Sequence, residues 1–390
     1  MTDIVPLLNK WDPMLFNRLR EEITEDRLYS YLKPLSDTAA PSQTVPWTRA
    51  RVLRQLIERD GWLHHPNVHF DGNYKGTGNV ALTLGPKFTE KRVWMIAHLD
   101  EVSYFIEPAV GGRYPLTPLC YHFIPVGRRV RSQALEYSLD KREYIVAGYG
   151  DIVTEKDGTI FFEPEGKQPL RAGQRVCFCH ELTWDRTTGV VQGSLDDIAG
   201  VVPLVLAASV LKDYDVEVLF ALSDEEEGPA GAGNQTFCRG VARVLNDYDI
   251  PDLVFDVDGH SADSRGGKAA PDTLKPGQGA SFAEKGSQGR GGITPPTLYE
   301  LERKMAAELR PLGIDLQENV GGYVSRTDGG VNGMMRTANV VLLGYLSSDA
   351  HYDTQPTTAN MKDLVSLARA AVCYALLAHT DLYREVVLAR

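Results

Sequence analysis

Five side chains that can bind metal ions follow one another along the chain, and most of them stand where a hydrophobic run ends. They are His98, Asp196, Glu226, Asp256 and His351. The carboxyl ends of parallel strands meet at one edge of an α/β sheet, which is where such folds place their chemistry. The set therefore predicts the site of a two-metal hydrolase, because paired ions can polarise a carbonyl and activate water.

The first candidate ligand has a potential partner two residues later. His98 follows the strand-like run Val93–Ala97, and Asp100 lies on the same face of an extended segment. His98 can then bind a metal ion while Asp100 orients the imidazole ring. A His-x-Asp pair often arises by chance, however, and a hydrogen-bonded histidine at a strand end is the alternative interpretation.

Two adjacent aspartates precede an apolar helix, which we predict from Asp197 to Leu211. Acidic residues at this position are explained by N-capping and by the positive end of the helix dipole. We predict that Asp197 caps the helix and that Asp196 is the metal ligand.

Four acidic residues in a row, Asp224 to Glu227, follow a strand predicted from Val216 to Leu222. A run of acids is usually a solvated loop. Here the run ends a strand of the buried type and leads into Gly228–Gly231, so the carboxylates would crowd a cleft. Like charges in a cleft need cations to remain ionised, which favours a metal site.

The last two candidates also have local alternatives. Asp256 ends the apolar run Leu253–Phe255, and Asp258 competes with it two positions later. His351 lies in a polar turn, where histidines are more often surface residues than ligands. Each position can be explained separately, but five such ligands at successive sheet ends form a set that chance rarely supplies.

Composition limits the class of protein. The chain has 390 residues, 43% hydrophobic and 24% charged, which suits one large globular domain or two moderate ones. A net charge of -11 disfavours nucleic acid or an anionic membrane as partner. The five scattered cysteines do not suggest a disulfide framework. Without a secretory pattern or an apolar run of about 18 residues, we expect a cytoplasmic protein.

The hydrophobic patterns predict two domains, one inserted in the other. Residues 1–109 and 188–390 alternate helical and strand patterns and form an α/β domain, whereas residues 110–187 carry short β-prone runs and form a small β-barrel. Residues 259–296 are rich in Gly, Ser and Lys and read as a long loop. The main predicted elements are helices at 14–35, 47–62, 197–211, 234–245, 296–312 and 364–377, and strands at 79–84, 93–97, 144–147, 159–162, 175–178, 216–222, 253–255 and 339–343.

Several segments together resemble a known family. They are Ala97–Val102, Gly193–Gly200, Glu225–Ala232, Asp256–Val257, Thr327–Gly330 and His351. Their order and spacing resemble the glutamyl-aminopeptidase and tetrahedral-aminopeptidase family of dinuclear metallopeptidases, within the zinc aminopeptidase superfamily. The resemblance covers roughly residues 30 to 380. It implies a mixed central sheet with helices on both faces, an inserted β-barrel, and a homo-oligomer.

The resemblance also implies a role for each residue. One metal ion would be bound by His98 and Asp256, the other by Glu226 and His351, with Asp196 bridging the two. Glu225 would be the general base, and Asp100 would orient His98. Two residues depart from the family pattern: Ser103 replaces a glycine, and Ile198 replaces an arginine that commonly follows the paired aspartates.

Three functions are compatible with these residues. The resemblance implies an aminopeptidase that hydrolyses the N-terminal bond of a peptide with a metal-activated water. The first alternative is a dinuclear metal amidase or carboxypeptidase acting on a small or modified amino-acid amide. The second is a catalytically silent binding protein on a peptidase scaffold. Two divalent ions per chain are expected, zinc by default, and cobalt or manganese would also tolerate this oxygen-rich ligand set.

Overall fold

A computed structural model describes residues 3–166, 169–228, 238–262, 274–289, 291–327, 329–348, 351 and 355–390. The helices in this part of the chain are α1 (Ile4–Leu8), α2 (Leu15–Glu22), α3 (Glu25–Ser36), α4 (Arg49–Arg59), α5 (Ile198–Leu211), α6 (Ala242–Leu245), α7 (Pro296–Leu309), α8 (Met361–Ala378) and α9 (Asp381–Val386). The strands are β1 (Val68–Asp71), β2 (Val80–Leu84), β3 (Val93–His98), β4 (Ser103–Ile106), β5 (Tyr114–Pro118), β6 (Arg129–Ser138), β7 (Glu143–Thr154), β8 (Ile160–Pro164), β9 (Arg175–Phe178), β10 (Thr183–Trp184), β11 (Val190–Gly193), β12 (Val218–Ser223), β13 (Leu253–Asp256), β14 (Gly259–Ser261), β15 (Ala280–Ala283), β16 (Leu316–Glu318), β17 (Val340–Ser347) and β18 (Thr357–Asn360).

A mixed sheet forms the centre of the α/β domain. Its strand order is β1-β2-β12-β3-β13-β17-β15-β16, with β14 paired to β17. The four middle strands, β12, β3, β13 and β17, run parallel. Antiparallel pairs join β1 to β2, β2 to β12 and β15 to β17, and β16 pairs parallel with β15. Ser223, the last residue of β12, lies in register with His98, the last residue of β3. The carboxyl ends of the middle strands therefore share one edge of the sheet.

Both faces of this sheet are covered. Along β3, Val93, Met95 and Ala97 join the larger apolar core, which includes α5 and α8. Trp94 and Ile96 face the opposite side and belong to a second core. This alternation is what a period of two requires in a strand buried on both faces. The mixed sheet with helices on both faces is confirmed.

The inserted segment forms a closed barrel in the order β4-β5-β8-β7-β6-β9. Inward-facing side chains such as Tyr104, Phe162 and Val176 fill its interior and are almost fully buried. The barrel itself is confirmed. Its strands run from Ser103 to Phe178, so the first strand begins ahead of the boundary expected at residue 110.

Three parts of the sequence-based assignment differ from the structure. The helix expected at 14–35 is divided into α2 and α3, because Thr24 caps α3 and accepts a hydrogen bond from the N–H of Arg27. Residues 259–296, expected to be a long loop, contain the strands β14 and β15, each too short to show a periodic pattern. Residues 263–273 and 290 of this segment lie outside the described part. Of the helix expected at 234–245, residues 234–237 lie outside the described part, residues 238–241 are not helical, and α6 covers the rest.

Two further properties follow from the described residues. Among them, no helix is both long enough and apolar enough to cross a membrane. All five cysteines are described, and each is a free thiol.

The first turn of α8 carries a buried acid. Asp363 accepts hydrogen bonds from the backbone N–H groups of Gly277 at 2.9 Å and Gly279 at 2.7 Å. Burial raises the pKa of Asp363 to about 7, and these two hydrogen bonds oppose part of that shift. An unfolded aspartate titrates near about pH 4. Between these pH values the folded state holds the extra proton, so the contribution of Asp363 to stability falls as pH rises.

We therefore expect Asp363→Asn to flatten the pH dependence of stability. Relative to the variant, the wild type should lose up to about 1.4 kcal/mol of unfolding free energy per pH unit between about pH 4 and 7. Urea unfolding at several pH values measures this slope, and the exposed Asp381→Asn serves as control. Parallel curves for wild type and Asp363→Asn would contradict the assignment.

Candidate functional site

The candidate ligands gather at the shared edge of the parallel strands. His98 is the last residue of β3, the acids Asp224–Glu227 follow β12, and Asp256 is the last residue of β13. Asp196 lies between β11 and α5, and His351 follows β17. Parallel pairing brings these segments together although more than two hundred residues separate the first from the last.

His98 directs one ring nitrogen into the site. Its Nδ1 lies 3.1 Å from the backbone oxygen of Asp100 and 3.6 Å from Asp100 Oδ1. Its Nε2 lies 3.2 Å from Asp196 Oδ1 and 3.9 Å from Glu226 Oε2. The Nε2 atom is buried but forms no hydrogen bond of acceptable geometry. A buried ring nitrogen facing carboxylates in this way suits a metal ligand.

His351 has a matching orientation on the other side of Asp196. Its Nδ1 lies 3.2 Å from the backbone oxygen of Tyr121, so Nδ1 carries the proton and donates it. Its Nε2 lies 3.3 Å from Glu227 Oε1 and 4.0 Å from Asp196 Oδ2. The two oxygens of Asp196 thus face two different imidazoles.

Asp100 supports the acidic segment as well as His98. Its carboxylate accepts a hydrogen bond from Ser42 Oγ at 2.6 Å. It also accepts the backbone N–H groups of Glu226 at 3.2 Å and Glu227 at 3.1 Å. Asp100 therefore fixes the positions of the acids that follow β12 and of His98 together.

Of the two adjacent aspartates, Asp197 has the role that the sequence predicted for it. Asp197 is the N-cap of α5 and accepts the N–H of Gly200 at 3.1 Å, which confirms the capping prediction. A cis peptide bond joins Asp196 to Asp197. Asp197 is also within 4.8 Å of ligand atoms of His98 and Asp258.

Glu225 is placed away from this group. Its carboxylate binds Arg239 Nε at 2.7 Å and two nitrogens of Arg243 at 2.9 and 3.0 Å. Burial alone would raise the pKa of Glu225, but the two arginines lower it below the usual value. Its backbone has a positive φ of 66°, which turns the next residues toward the site. Glu227, rather than Glu226, is the acid nearest His351.

Asp256 is held by the chain that follows β16. Its carboxylate accepts hydrogen bonds from the Thr327 hydroxyl and from the N–H groups of Gly329 and Gly330. A Cβ at Gly329 would lie 2.5 Å from Asp256 Oδ1, so only glycine allows this approach. Burial raises the pKa of Asp256 to about 6. Asp258, the alternative candidate two residues later, has a carboxylate oxygen within 4.8 Å of a ring nitrogen of His98.

The electrostatics of this group suit bound cations. Burial raises the pKa of Glu227; His351 opposes that rise and Asp196 adds to it. Burial, and then the charges of Asp196 and Asp197, raise the pKa of Asp258 well above its usual value. Bound divalent ions would offset the cost of ionising these buried carboxyl groups, because a nearby positive charge favours the carboxylate form. The donor set of imidazole nitrogens and carboxylate oxygens fits zinc, cobalt or manganese.

Sequence reasoning overlooked one close contributor. Glu227 shares a group with His98 and Asp196 in which all ligand atoms lie within 4.8 Å. Its position directly after Glu226 was visible, but nothing in the sequence showed which of three consecutive glutamates would face inward. Glu225 has a positive φ of 66°, and no glycine in the sequence marks this turn.

Several solved structures share this fold with the chain. Aminopeptidase APDkam598 from the archaeon Desulfurococcus kamchatkensis has a TM-score of 0.71 and 18% identity, over 93% of this chain and 98% of that one. The TET aminopeptidase from Thaumarchaeota archaeon SCGC AB-539-E09 has a TM-score of 0.69 and 18% identity, over 93% and 99%. For the Pyrococcus horikoshii TET1 peptidase the values are 0.64 and 19%, over 89% and 99%.

The sequence comparisons are negative. No family model matches the chain, and no curated protein sequence matches it. At the identities above, structural likeness establishes the fold, and the fold implied by the sequence resemblance is confirmed.

Proposed function

We propose that this chain is a metal-dependent aminopeptidase with two divalent ions, most simply zinc. The observation that carries the proposal is the placement of Asp196, whose Oδ1 lies 3.2 Å from His98 Nε2 and whose Oδ2 lies 4.0 Å from His351 Nε2. A carboxylate between two imidazoles is the arrangement that a bridging ligand requires. The likeness to solved aminopeptidases supports the same function.

The ligand set proposed from the sequence is His98, Asp196, Glu226, Asp256 and His351. The short contacts of the first three and of His351 support it. Glu227 joins the set on geometry, because its Oε1 lies 3.3 Å from His351 Nε2. The carboxylate of Asp256 accepts hydrogen bonds from Thr327 and two backbone N–H groups. A carboxylate has about four lone-pair sites, so Asp256 can keep these hydrogen bonds and still bind an ion.

The chain's own groups position the reaction. When bound, two divalent ions supply Lewis acidity that polarises a scissile carbonyl and lowers the pKa of water. Asp100 holds the acidic segment and the His98 ring in place through its hydrogen bonds. A carboxylate of that segment would take the proton of the attacking water and pass it to the leaving amine. This division of roles is consistent with aminopeptidase chemistry.

Two carboxylates compete for the role of general base. Glu225 is the base implied by the sequence resemblance, and it must first exchange its contacts with Arg239 and Arg243. Glu227 faces the site, and burial raises its pKa, whereas Arg243 and Arg239 lower the pKa of Glu225. We retain Glu225 as the proposed base, and the two assignments differ in their consequences for metal binding.

The variants Glu225→Gln, Glu226→Gln and Glu227→Gln separate these roles. If Glu225 is the base, Glu225→Gln should lower kcat by about 10²- to 10⁴-fold and leave metal content unchanged. Replacement of a ligand should instead reduce metal content. Steady-state kinetics and elemental analysis on the same samples measure both. Full metal with lost activity in Glu227→Gln, and near-normal activity in Glu225→Gln, would transfer the role to Glu227.

Substrate class is tested with pairs of amides that differ only at the N-terminus. An aminopeptidase needs the free amine of its substrate near the acidic groups of the site. We expect aminoacyl amides to be cleaved and their N-acetylated forms to be cleaved at least about a hundredfold more slowly, since a lost charged contact costs a few kcal/mol. Cleavage of the blocked forms alone would favour an amidase or a carboxypeptidase.

We also propose that the chain forms a homo-oligomer and is cytoplasmic. Support for the first comes from the fold, since the P. horikoshii TET1 peptidase can assemble into a tetrahedron or a large octahedral shell. One chain has a mass of 43.1 kDa. Light scattering of the purified protein would give a multiple of this mass for an oligomer, whereas 43.1 kDa would contradict it.

A further inference from the structure

A segment of the barrel lies over the candidate metal centre. After β5, residues 119–124 contact the α/β domain at several points. The backbone oxygen of Tyr121 accepts the Nδ1 proton of His351 at 3.2 Å. The ring of Phe123 lies 5.4 Å from the ring of His351, centroid to centroid. Leu119 packs closely on Gly228: a Cβ added to Gly228 would lie 2.6 Å from the backbone oxygen of Leu119.

Within this segment Cys120 faces the centre itself. The ligand atoms of Cys120, Glu227 and His351 all lie within 4.8 Å of one another. Cys120 is 6% exposed, and its Sγ lies within 4.8 Å of a Glu227 carboxylate oxygen. Sulfur, carboxylate oxygen and imidazole nitrogen are three of the donors that zinc accepts, at bond lengths of about 2.0–2.3 Å. One ion can therefore be reached by all three side chains.

The three residues come from distant parts of the chain. Cys120 follows a strand of the barrel, Glu227 follows β12 of the central sheet, and His351 follows β17. Contacts of Leu119 with Gly228, and of Tyr121 and Phe123 with His351, fix residues 119–124 against the segments that follow β12 and β17. The cluster is therefore built by the packing of the barrel on the α/β domain rather than by one local turn.

We propose that Cys120 is a ligand of the metal ion beside His351, so that the barrel contributes directly to the metal centre. The inference rests on the proposed function, because it presupposes that His351 and an acid of the segment after β12 bind that ion. On binding, the Cys120 thiol loses its proton to solvent and a sulfur–metal bond forms, with no change of oxidation state. A thiolate makes the site softer, which favours zinc or cobalt over manganese.

A second thiol lies near the centre and must be distinguished from the first. Cys238 Sγ lies 2.9 Å from Glu226 Oε1 and donates a hydrogen bond to that carboxylate. In contrast, Cys120 shares its neighbourhood with two ligand atoms of the proposed ion. The proposal concerns Cys120 alone, and Cys238→Ser provides the matched control.

Cobalt substitution reads the bond directly. The full chain would be stripped with a chelator and reloaded with Co²⁺, and its absorption spectrum recorded for the wild type, Cys120→Ser, Cys120→Asp and Cys238→Ser. We expect a near-ultraviolet thiolate-to-cobalt charge-transfer band in the wild type and in Cys238→Ser. The band should vanish in both Cys120 variants, while Cys120→Asp retains bound cobalt through a replacement carboxylate.

The outcomes separate this inference from the proposed function. A cobalt-loaded, active wild type without the charge-transfer band would overturn the role of Cys120 and leave the two-metal centre intact. A band that persists in Cys120→Asp would also overturn it. A wild type that binds no cobalt and cleaves no free-amine substrate would overturn both the inference and the function beneath it.

Discussion

Replacement of Asp196 by asparagine is expected to abolish most of the activity. The variant keeps the size of the side chain but loses the negative charge that lies between His98 and His351. Both ions would lose a ligand, and metal catalysis contributes several kcal/mol to transition-state stabilisation. A loss of about 3–4 kcal/mol corresponds to a fall of about 10²- to 10³-fold in kcat/KM. Kinetics on an aminoacyl substrate and elemental analysis measure the two effects.

The control for this prediction is an aspartate outside the site. Asp140 is exposed at the turn between β6 and β7, and Asp140→Asn changes the net charge by the same amount. We expect its kinetics and metal content to match the wild type. If Asp196→Asn kept both its metal and its activity, a bridging role for Asp196 would be excluded.

The largest expected effect on stability belongs to Arg49. Its side chain is fully buried, and it pairs with Glu101 at 3.2 Å between Nη2 and Oε2. It also donates to the backbone oxygen of Leu99 at 2.8 Å and to those of Leu35 and Thr38 at 3.0 Å. Arg49 therefore ties α3 and α4 to the segment that carries His98 and Asp100.

We expect Arg49→Met to lower the free energy of unfolding by about 3–5 kcal/mol, because it leaves a buried charge without its partner. Urea unfolding at pH 7 measures the change. Arg51→Met, on the exposed face of the same helix, should have little effect. The double variant Arg49→Met, Glu101→Leu should recover part of the loss. An unchanged unfolding midpoint in Arg49→Met would show that this buried pair does not stabilise the fold.

Sequence periodicity predicted the elements that are buried along their length. The strand ending at His98 and the helix beginning after Asp197 were both located within one residue, because a continuous apolar run bounded by polar residues leaves little freedom. The same logic places the proposed metal ligands at strand ends. Parallel pairing of β12 with β3 then brings Ser223 level with His98, as the proposed site needs.

Other features depended on contacts that the sequence does not display. Strands β14 and β15 have only three and four residues, too few for an alternating pattern. The direction of each glutamate after Asp224 depends on the backbone at Glu225, whose carboxylate is drawn toward Arg239 and Arg243. Such placements depend on long-range packing, which local patterns cannot specify.

The approach of Cys120 to the centre is a clearer example of the same limit. It is one of five scattered cysteines, and no spacing relates it to Glu227 or His351. Only closure of the barrel and its packing on the α/β domain brings the thiol to the site. A motif search would miss this residue, since the three side chains come from three separate parts of the fold.

The measurement that tests the central claim most directly is the metal content of the purified chain, determined by elemental analysis before and after chelation. We predict about two divalent ions per chain, the number that a two-metal hydrolase binds. We also predict that cleavage of free-amine substrates is lost on chelation and restored by zinc. A chain that contains no metal, binds none from excess zinc and is indifferent to chelators would contradict the account.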